Sequence, residues 1–249
     1  MALGAVVILT GCAALSGSGE DGEAGVKGGG ASPSVSGAVS PVPSYSKAQD
    51  WNEPERWSVL PGGQRTDDRG SQIGFPHTPE GAVAMMAAGN TTSVEADTSA
   101  VDEQLRIYRS YLAGADQSPR AAGQVESEAK AVDKRLATSM GSAVGQPLPA
   151  GAYMRSHVIG YRIVKKSPDE VSAWILAKVV QKNGETVAEQ ASYQRDLVAV
   201  QWVDGDWKLT VAASQRSRQD VQGHAKPTMG APGDAVFNAA GWTAIRGAS

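Results

Sequence analysis

The sequence predicts an α+β fold with three N-terminal helices packed on a curved four-stranded antiparallel sheet. Up to residue 141, capping residues and apolar spacings of three and four are typical of helices. From residue 152 to 213, apolar and polar residues alternate instead, as they do in strands with one wetter face. Two glycine-containing pairs, Asn183-Gly184 and Asp204-Gly205, predict tight hairpin turns between successive strands.

The composition excludes several classes of function. The 249 residues carry a formal net charge of -3, so no sequence-wide basic field attracts nucleic acid, and no nucleic-acid partner is expected. A single cysteine rules out a disulfide within the chain. Three widely separated histidines do not give the ligand spacing of a zinc site, and the sequence predicts neither a metal nor a cofactor.

The first twelve residues predict an export signal. The apolar segment 2–9 runs into Leu9-Thr10-Gly11-Cys12, which resembles a bacterial lipobox. The resemblance implies that Cys12 is the lipid-attachment site and that the protein is extracytoplasmic, anchored to the cell membrane by its acyl chains. Two alternatives stay open: secretion or a truncated membrane anchor, and a short buried segment of a cytoplasmic protein.

The rest of the chain divides into a linker, a domain and an arm. Residues 13–50 are rich in Gly, Ser and Pro, which predicts a disordered linker. Such a chain spans roughly 30–37 Å, enough to hold a domain away from a membrane. The folded domain is expected over 51–214, followed by a loosely packed C-terminal arm over 215–249. The residues expected to dock this arm are Val236, Phe237, Trp242 and Ile245.

The domain opens with an arm and a helix. Trp51 and Trp57 are expected to pack their indoles on the domain, with a ligand-stacking aromatic pair as the alternative. Thr78 followed by proline predicts an N-cap and a helix over 79–88. His77 just before it is interpreted as structural or exposed, because no Ser, Cys or acid is spaced to pair with it.

Two further helices complete the first half. Ser99 with Asp102 three residues later forms a capping-box variant and begins the second helix, which ends at Gly114. Ser118 begins the third helix at the proline that follows it, and Gly141 ends that helix.

The second half predicts four strands, over 153–164, 171–181, 186–203 and 207–213. The second of these is apolar on both faces and is expected to be central. The third is long enough to need a bulge near residues 194–196. Asp204 and Asp206, in the last hairpin, are interpreted as turn residues in preference to metal ligands.

Two family resemblances imply a particular fold and a role for the protein. The element order over about residues 75–214, with the hairpin at 203–209, resembles the cone-shaped α+β fold of nuclear transport factor 2-like domains. The stretch 74–82, Gly-Phe-Pro-His-Thr-Pro-Glu-Gly-Ala, is similar to that of uncharacterised actinobacterial secreted or lipidated proteins, some of them encoded with conjugation genes. The resemblance implies a scaffold role at a type IV secretion channel.

We therefore expect a non-enzymatic envelope lipoprotein with a tethered binding or scaffold domain and an envelope protein as partner. Its oligomeric state is left open. The alternative is a cone-fold isomerase or hydrolyase, in which an acid or a histidine moves a proton beside a tyrosine that donates a hydrogen bond. The candidates for these roles are His157, Tyr161, Tyr193 and Asp196. The sequence identifies no catalytic set. The candidate pocket residues are Tyr153, His157, Tyr161, Trp174 and Tyr193.

Overall fold

The computed structural model describes residues 51–247. The predicted signal segment 1–12, lipid attachment at Cys12 and the linker 13–50 lie outside the described residues. Between residues 51 and 247, no helix has the length and apolar character needed to cross a membrane.

Helices and strands alternate irregularly along the chain. The helices are α1 (Pro79–Gly89), α2 (Ala100–Tyr111), α3 (Pro119–Ser139), α4 (Val211–Asp220) and α5 (Ala235–Ala239), with a 3-10 turn at Gly114–Asp116. The strands are β1 (Trp57–Ser58), β2 (Arg65–Thr66), β3 (Gln72–Ile73), β4 (Thr92–Val94), β5 (Ala152–Lys166), β6 (Glu170–Asn183), β7 (Gln190–Val203), β8 (Asp206–Leu209) and β9 (Thr243–Ile245).

The main sheet has seven strands in the order β1-β9-β5-β6-β7-β8, with β4 paired to the start of β5. The β1–β9 pair is parallel, and every other pair in this sheet is antiparallel. Strands β2 and β3 form a separate two-stranded sheet. The long strands β5, β6 and β7 therefore form the centre, and short strands from distant parts of the chain extend its edges.

The predicted fold class is wrong, and the nuclear transport factor 2-like architecture is wrong with it. Strands β1–β3 precede the first helix, α4 and α5 follow the long strands, and the sheet is mixed. Strands β1, β4 and β9 are only two or three residues long, too short to show alternation in sequence. The strand predicted over 207–213 ends at Leu209, because the Thr210 hydroxyl accepts a hydrogen bond from the Ala213 N–H and begins α4.

The three predicted helix starts are confirmed. Thr78 accepts a hydrogen bond from the Gly81 N–H at 3.0 Å, and Ser99 forms a reciprocal capping box with Asp102. The hydroxyl of Ser118 accepts a hydrogen bond from the N–H of Ala121 and begins α3. Local capping chemistry thus fixes where these helices begin.

The turn predictions had mixed outcomes. Asp204 and Gly205 have φ of 53° and 80° and close the β7–β8 hairpin, as predicted. The tight turn at Asn183-Gly184 is wrong, because Asn183 still pairs with Ala152 and a longer loop leads to β7. The bulge expected near 194–196 is also wrong, since the β6–β7 register is continuous there.

Strand β6 is central and apolar on both sides, as predicted. Ala173 and Ile175 define the first face of the sheet, which packs against α1 and α2. Trp174 lies on the opposite, second face, where Phe237 and Trp242 from the C-terminal segment are fully buried. Two apolar layers therefore sandwich the sheet, one from the helices and one from the end of the chain.

Candidate functional site

The five predicted pocket residues do not all lie on one face of the sheet. Tyr161 packs in the first-face core. The indole of Trp174 is buried in the second-face core with Phe237 and Trp242. The four that share the second face, by register and alternation, are Tyr153, His157, Trp174 and Tyr193.

A bulge in β5 explains why Tyr161 departs from the others. Regular alternation from His157 would place Tyr161 on the same face. The register shifts between Val158 and Gly160, so that Tyr161 pairs with Ile175 on the first face. A bulge of this kind adds one residue to a strand and leaves no mark in the apolar pattern.

The candidate residues of the catalytic alternative are divided between the two faces of the sheet. Asp196 pairs with Ile175 on the first face, whereas His157 and Tyr193 lie on the second. Both of these pair with Lys178 of β6, which lies between them. Lys178 therefore separates the backbone positions of His157 and Tyr193 by one strand on each side, about 10 Å in all.

His157, Lys178 and Tyr193 instead form a row across three strands, and all three are half-buried. Burial lowers the pKa of His157, and the neighbouring charge of Lys178 lowers it further. Lys178 thus faces a neutral imidazole at neutral pH.

The row belongs to a larger polar area on the second face, which we name the basic face. Among residues 51–247, no carboxylate forms an ion pair with Lys178 or Lys182. The whole chain is acidic, with a formal charge of -3, so this local excess of positive charge runs against the composition. The residues of the basic face are Tyr153, Arg155, His157, Lys178, Lys182, Tyr193 and Arg195.

The edges of the basic face are held by hydrogen bonds. The Arg155 guanidinium donates to Glu95 at 3.0 Å and lies 4.3 Å from the ring centroid of Tyr153. The Tyr153 hydroxyl donates to Glu189, and this hydrogen bond raises the pKa of Tyr153. Arg195 donates to the carbonyl of Pro227 at 2.7 Å. These contacts hold the edges of the basic face, and the two lysines between them form no ion pair with any residue of 51–247.

A second cluster joins the two motifs that carried the sequence resemblances. The buried carboxylate of Asp206 accepts hydrogen bonds from the N–H groups of Gly74 and Phe75 at 3.0 and 3.1 Å. The indole N–H of Trp207 donates to the carbonyl of Pro76 at 2.8 Å. The interpretation of Asp206 as a simple turn residue is therefore wrong: it ties the hairpin to the segment before α1.

His77 lies beside this junction. Its Nε2 is 3.0 Å from Oδ1 of Asp169, and its ring stacks on Trp202 with centroids 3.9 Å apart. Both the imidazole and the carboxylate are largely exposed, with 41% and 67% of their side-chain surface accessible. Within the described residues, no serine or cysteine hydrogen-bonds to the ring. This pair is therefore an exposed contact between the start of α1 and the β5–β6 turn, and it includes no nucleophile.

A third feature was missed by sequence reasoning. A cavity of about 400 Å³ opens where β5, β9 and the end of α5 meet. Its polar lining comes from Arg56, Arg162 and Thr243, with Gly241 between them. These residues are far apart in sequence and belong to no motif, so only the fold brings them together. Over residues 51–247, no group of three or more His, Cys, Asp or Glu side chains is arranged to hold a metal ion.

The model of a family described as Domain of unknown function (DUF8175) matches residues 58–228, which is more than half of the chain. The chain belongs to this family. The matched region contains the whole basic face and the Asp206 junction, whereas Arg56 and Gly241 of the cavity lie outside it. No curated protein and no solved structure matches the chain.

Proposed function

We propose that this chain is a non-enzymatic binding domain, anchored at the cell envelope through a lipid on Cys12, that holds an acidic segment of a protein partner on its basic face. The observation that carries the proposal is the pair Lys178 and Lys182, which stand without carboxylate partners on the face of an acidic chain. Unpaired cations of this kind steer an anionic partner to one surface.

The residue types of the basic face favour a protein as its partner over a lipid surface. Tyr and Arg are enriched where proteins bind each other, and Tyr153, Arg155, Tyr193 and Arg195 surround the lysines. Membrane docking relies on Trp, Phe or Leu side chains that insert into the interface. The basic face presents tyrosines and cations in their place.

The size of the basic face suits one extended segment. Three neighbouring strands span about 10 Å, and the five residues from 153 to 157 span about 14 Å. A globular interface covers about 800 Å² on each partner, several times this area. We therefore assign the occupant as a single acidic stretch of chain, not a folded domain.

The non-enzymatic assignment rests on the separation of the candidate acid–base groups. His157 lies beside Lys178, whose positive charge opposes protonation of the imidazole, and Asp196 is on the other face. The envelope assignment rests on the resemblance of residues 9–12 to a lipobox and on the linker predicted over 13–50. The resemblance at 74–82 favours an accessory role at a conjugation channel.

Site-directed photo-crosslinking in the cells that make the protein tests the binding surface. A photoreactive phenylalanine at Ala191, exposed on the second face, should form an adduct with an envelope protein that has an acidic segment. The adduct should disappear in Lys178→Glu/Lys182→Glu. It should persist in Lys134→Glu/Arg135→Glu, which makes the same charge change at exposed positions of α3.

Three outcomes would contradict the proposal. These are adducts with lipid alone, equal loss of the adduct in both double variants, and the same adduct from a probe at the exposed Gly123 of α3. The anchor has its own test. Replacing Cys12 by Ser should move the protein from the membrane fraction to the soluble fraction, and unchanged membrane association of this variant would contradict lipid attachment there.

A further inference from the structure

We infer that the cavity at the edge of the sheet binds a small ligand through an oxyanion group, a carboxylate or a phosphate, held between Arg56 and Arg162. The cavity has a volume of about 400 Å³, which lies in the range of small-molecule sites. It is separate from the basic face, since its walls come from β9 and α5 as well as from the far end of β5.

The two guanidinium groups converge on one point. A Cβ placed on Gly241 would lie 3.2 Å from Nη2 of Arg56 and 3.8 Å from Nε of Arg162. Gly241 has a φ of 78°, in the region that favours glycine, so the turn after α5 keeps this space free of a side chain. The space between the two arginines is therefore built into the backbone.

The arginines have no acidic partner. Among residues 51–247, neither Arg56 nor Arg162 takes part in an ion pair. Arg162 is held by a hydrogen bond from Nη1 to the carbonyl of Ala240 at 3.0 Å. The guanidinium of Arg162 is thus held in place, and that of Arg56 can turn toward a ligand.

The chemistry of the lining selects the ligand class. A guanidinium presents paired N–H donors that match the two oxygens of a carboxylate or phosphate. Two guanidinium groups repel a cationic ligand, and an uncharged ligand would not neutralise their positive charge. Thr243, Ile163 and Ala239 complete the lining beside the two arginines.

Titration of the full-length protein with two anions tests this inference and identifies the source of the oxyanion. Inorganic pyrophosphate and citrate are added separately at constant ionic strength, and the guanidinium Nε–H resonances of Arg56 and Arg162 are followed by NMR. We expect saturable shifts at both arginines with at least one anion. The anion that binds more tightly assigns the site to phosphate or to carboxylate.

Arg56→Gln should weaken the binding by about tenfold or more, because one of two charged forks is lost. Arg56→Lys keeps the positive charge but lacks the paired N–H donors of the guanidinium, so it should reduce the affinity by an intermediate factor. The exposed Arg218→Gln makes the same charge change on α4 and should leave the affinity within about twofold, as expected for a remote surface site. Absence of saturable shifts with both anions, or an equal effect of Arg218→Gln, would overturn the inference.

Discussion

Asp206 is the residue that joins the two halves of the chain. Its carboxylate accepts hydrogen bonds from the N–H groups of Gly74, Phe75 and Trp207 and from the ammonium of Lys208. It is only 5% exposed, so these donors would be left without a partner if the carboxylate were removed. The neighbouring Asp204 is exposed and serves the turn alone.

These two aspartates give a matched pair of variants. Asp206→Ala should lower the free energy of unfolding by about 2–4 kcal/mol, since it leaves buried N–H donors and a partly buried cation without a partner. Asp204→Asn should change it by less than about 0.5 kcal/mol, because asparagine tolerates positive φ. Urea unfolding followed by tryptophan fluorescence measures both. Equal effects of the two variants would show that Asp206 acts only as a turn residue.

His157 makes the stability of the fold depend on pH. Its pKa in the folded protein is lowered from the ordinary value of 6.5, first by burial and then by Lys178. As the pH falls below about 6.5, the unfolded chain takes up the proton first, so the free energy of unfolding falls until the lowered pKa of the folded state is passed. His157→Gln should remove this part of the acid-side loss, whereas His224→Gln, at an exposed position, should retain it.

The contribution of Lys178 can be measured separately. Lys178→Gln should raise the pKa of His157 in an NMR titration, because the like charge is gone. The pKa should stay below that of a free histidine, because burial is the larger cause. A pKa that does not move would mean that the two side chains are not neighbours.

At the scale of single elements, α1 is placed by a close backbone approach. A Cβ on Gly81 would collide with the carbonyl oxygen of Pro76, which lies well inside van der Waals distance of that point. The Thr78 cap and this glycine together fold the stretch 74–82 back on itself before the helix runs under the sheet. Folding geometry thus accounts for the threonine and the glycine in that stretch.

Two glycine-to-alanine variants test this reading. Gly81→Ala should lower the free energy of unfolding by about 1–3 kcal/mol or more, since the backbone of Pro76 must move. Gly123→Ala, at an exposed position of α3 with open space around it, should raise it by about 0.5–1 kcal/mol. Thermal unfolding of the two variants measures both shifts. A neutral Gly81→Ala would contradict the close approach.

The elements were predictable where local chemistry decides them. Capping side chains such as Thr78 and Ser99 act within three residues, so the sequence shows them directly. The edge strands β1 and β9 form only because distant segments meet, and no local pattern marks them. The predicted turn at Asn183-Gly184 does not form, because Asn183 still pairs with Ala152 of β5.

At the scale of the whole molecule, the sheet separates a helical layer from a layer made by the C-terminal segment. The C-terminal layer covers Trp174 and Leu176 but leaves the rows around Lys178 and Lys182 half-exposed. His157 and Tyr193 were predicted as site residues, and their alignment with Lys178 depends on the β5–β6–β7 register. The Arg56–Arg162 cavity depends on β9 and α5, so it was beyond sequence reasoning altogether.

Chemical-shift mapping with an acidic peptide tests the central claim most directly. A synthetic Glu-rich peptide is titrated into the isotope-labelled protein at physiological ionic strength, and amide shifts are followed along the chain. The account predicts saturable shifts at residues 153–157, 178–182 and 191–195, and the loss of these shifts in Lys178→Glu/Lys182→Glu but not in Lys134→Glu/Arg135→Glu. Absence of shifts at these residues, or shifts there that survive the reversal of Lys178 and Lys182, would contradict it.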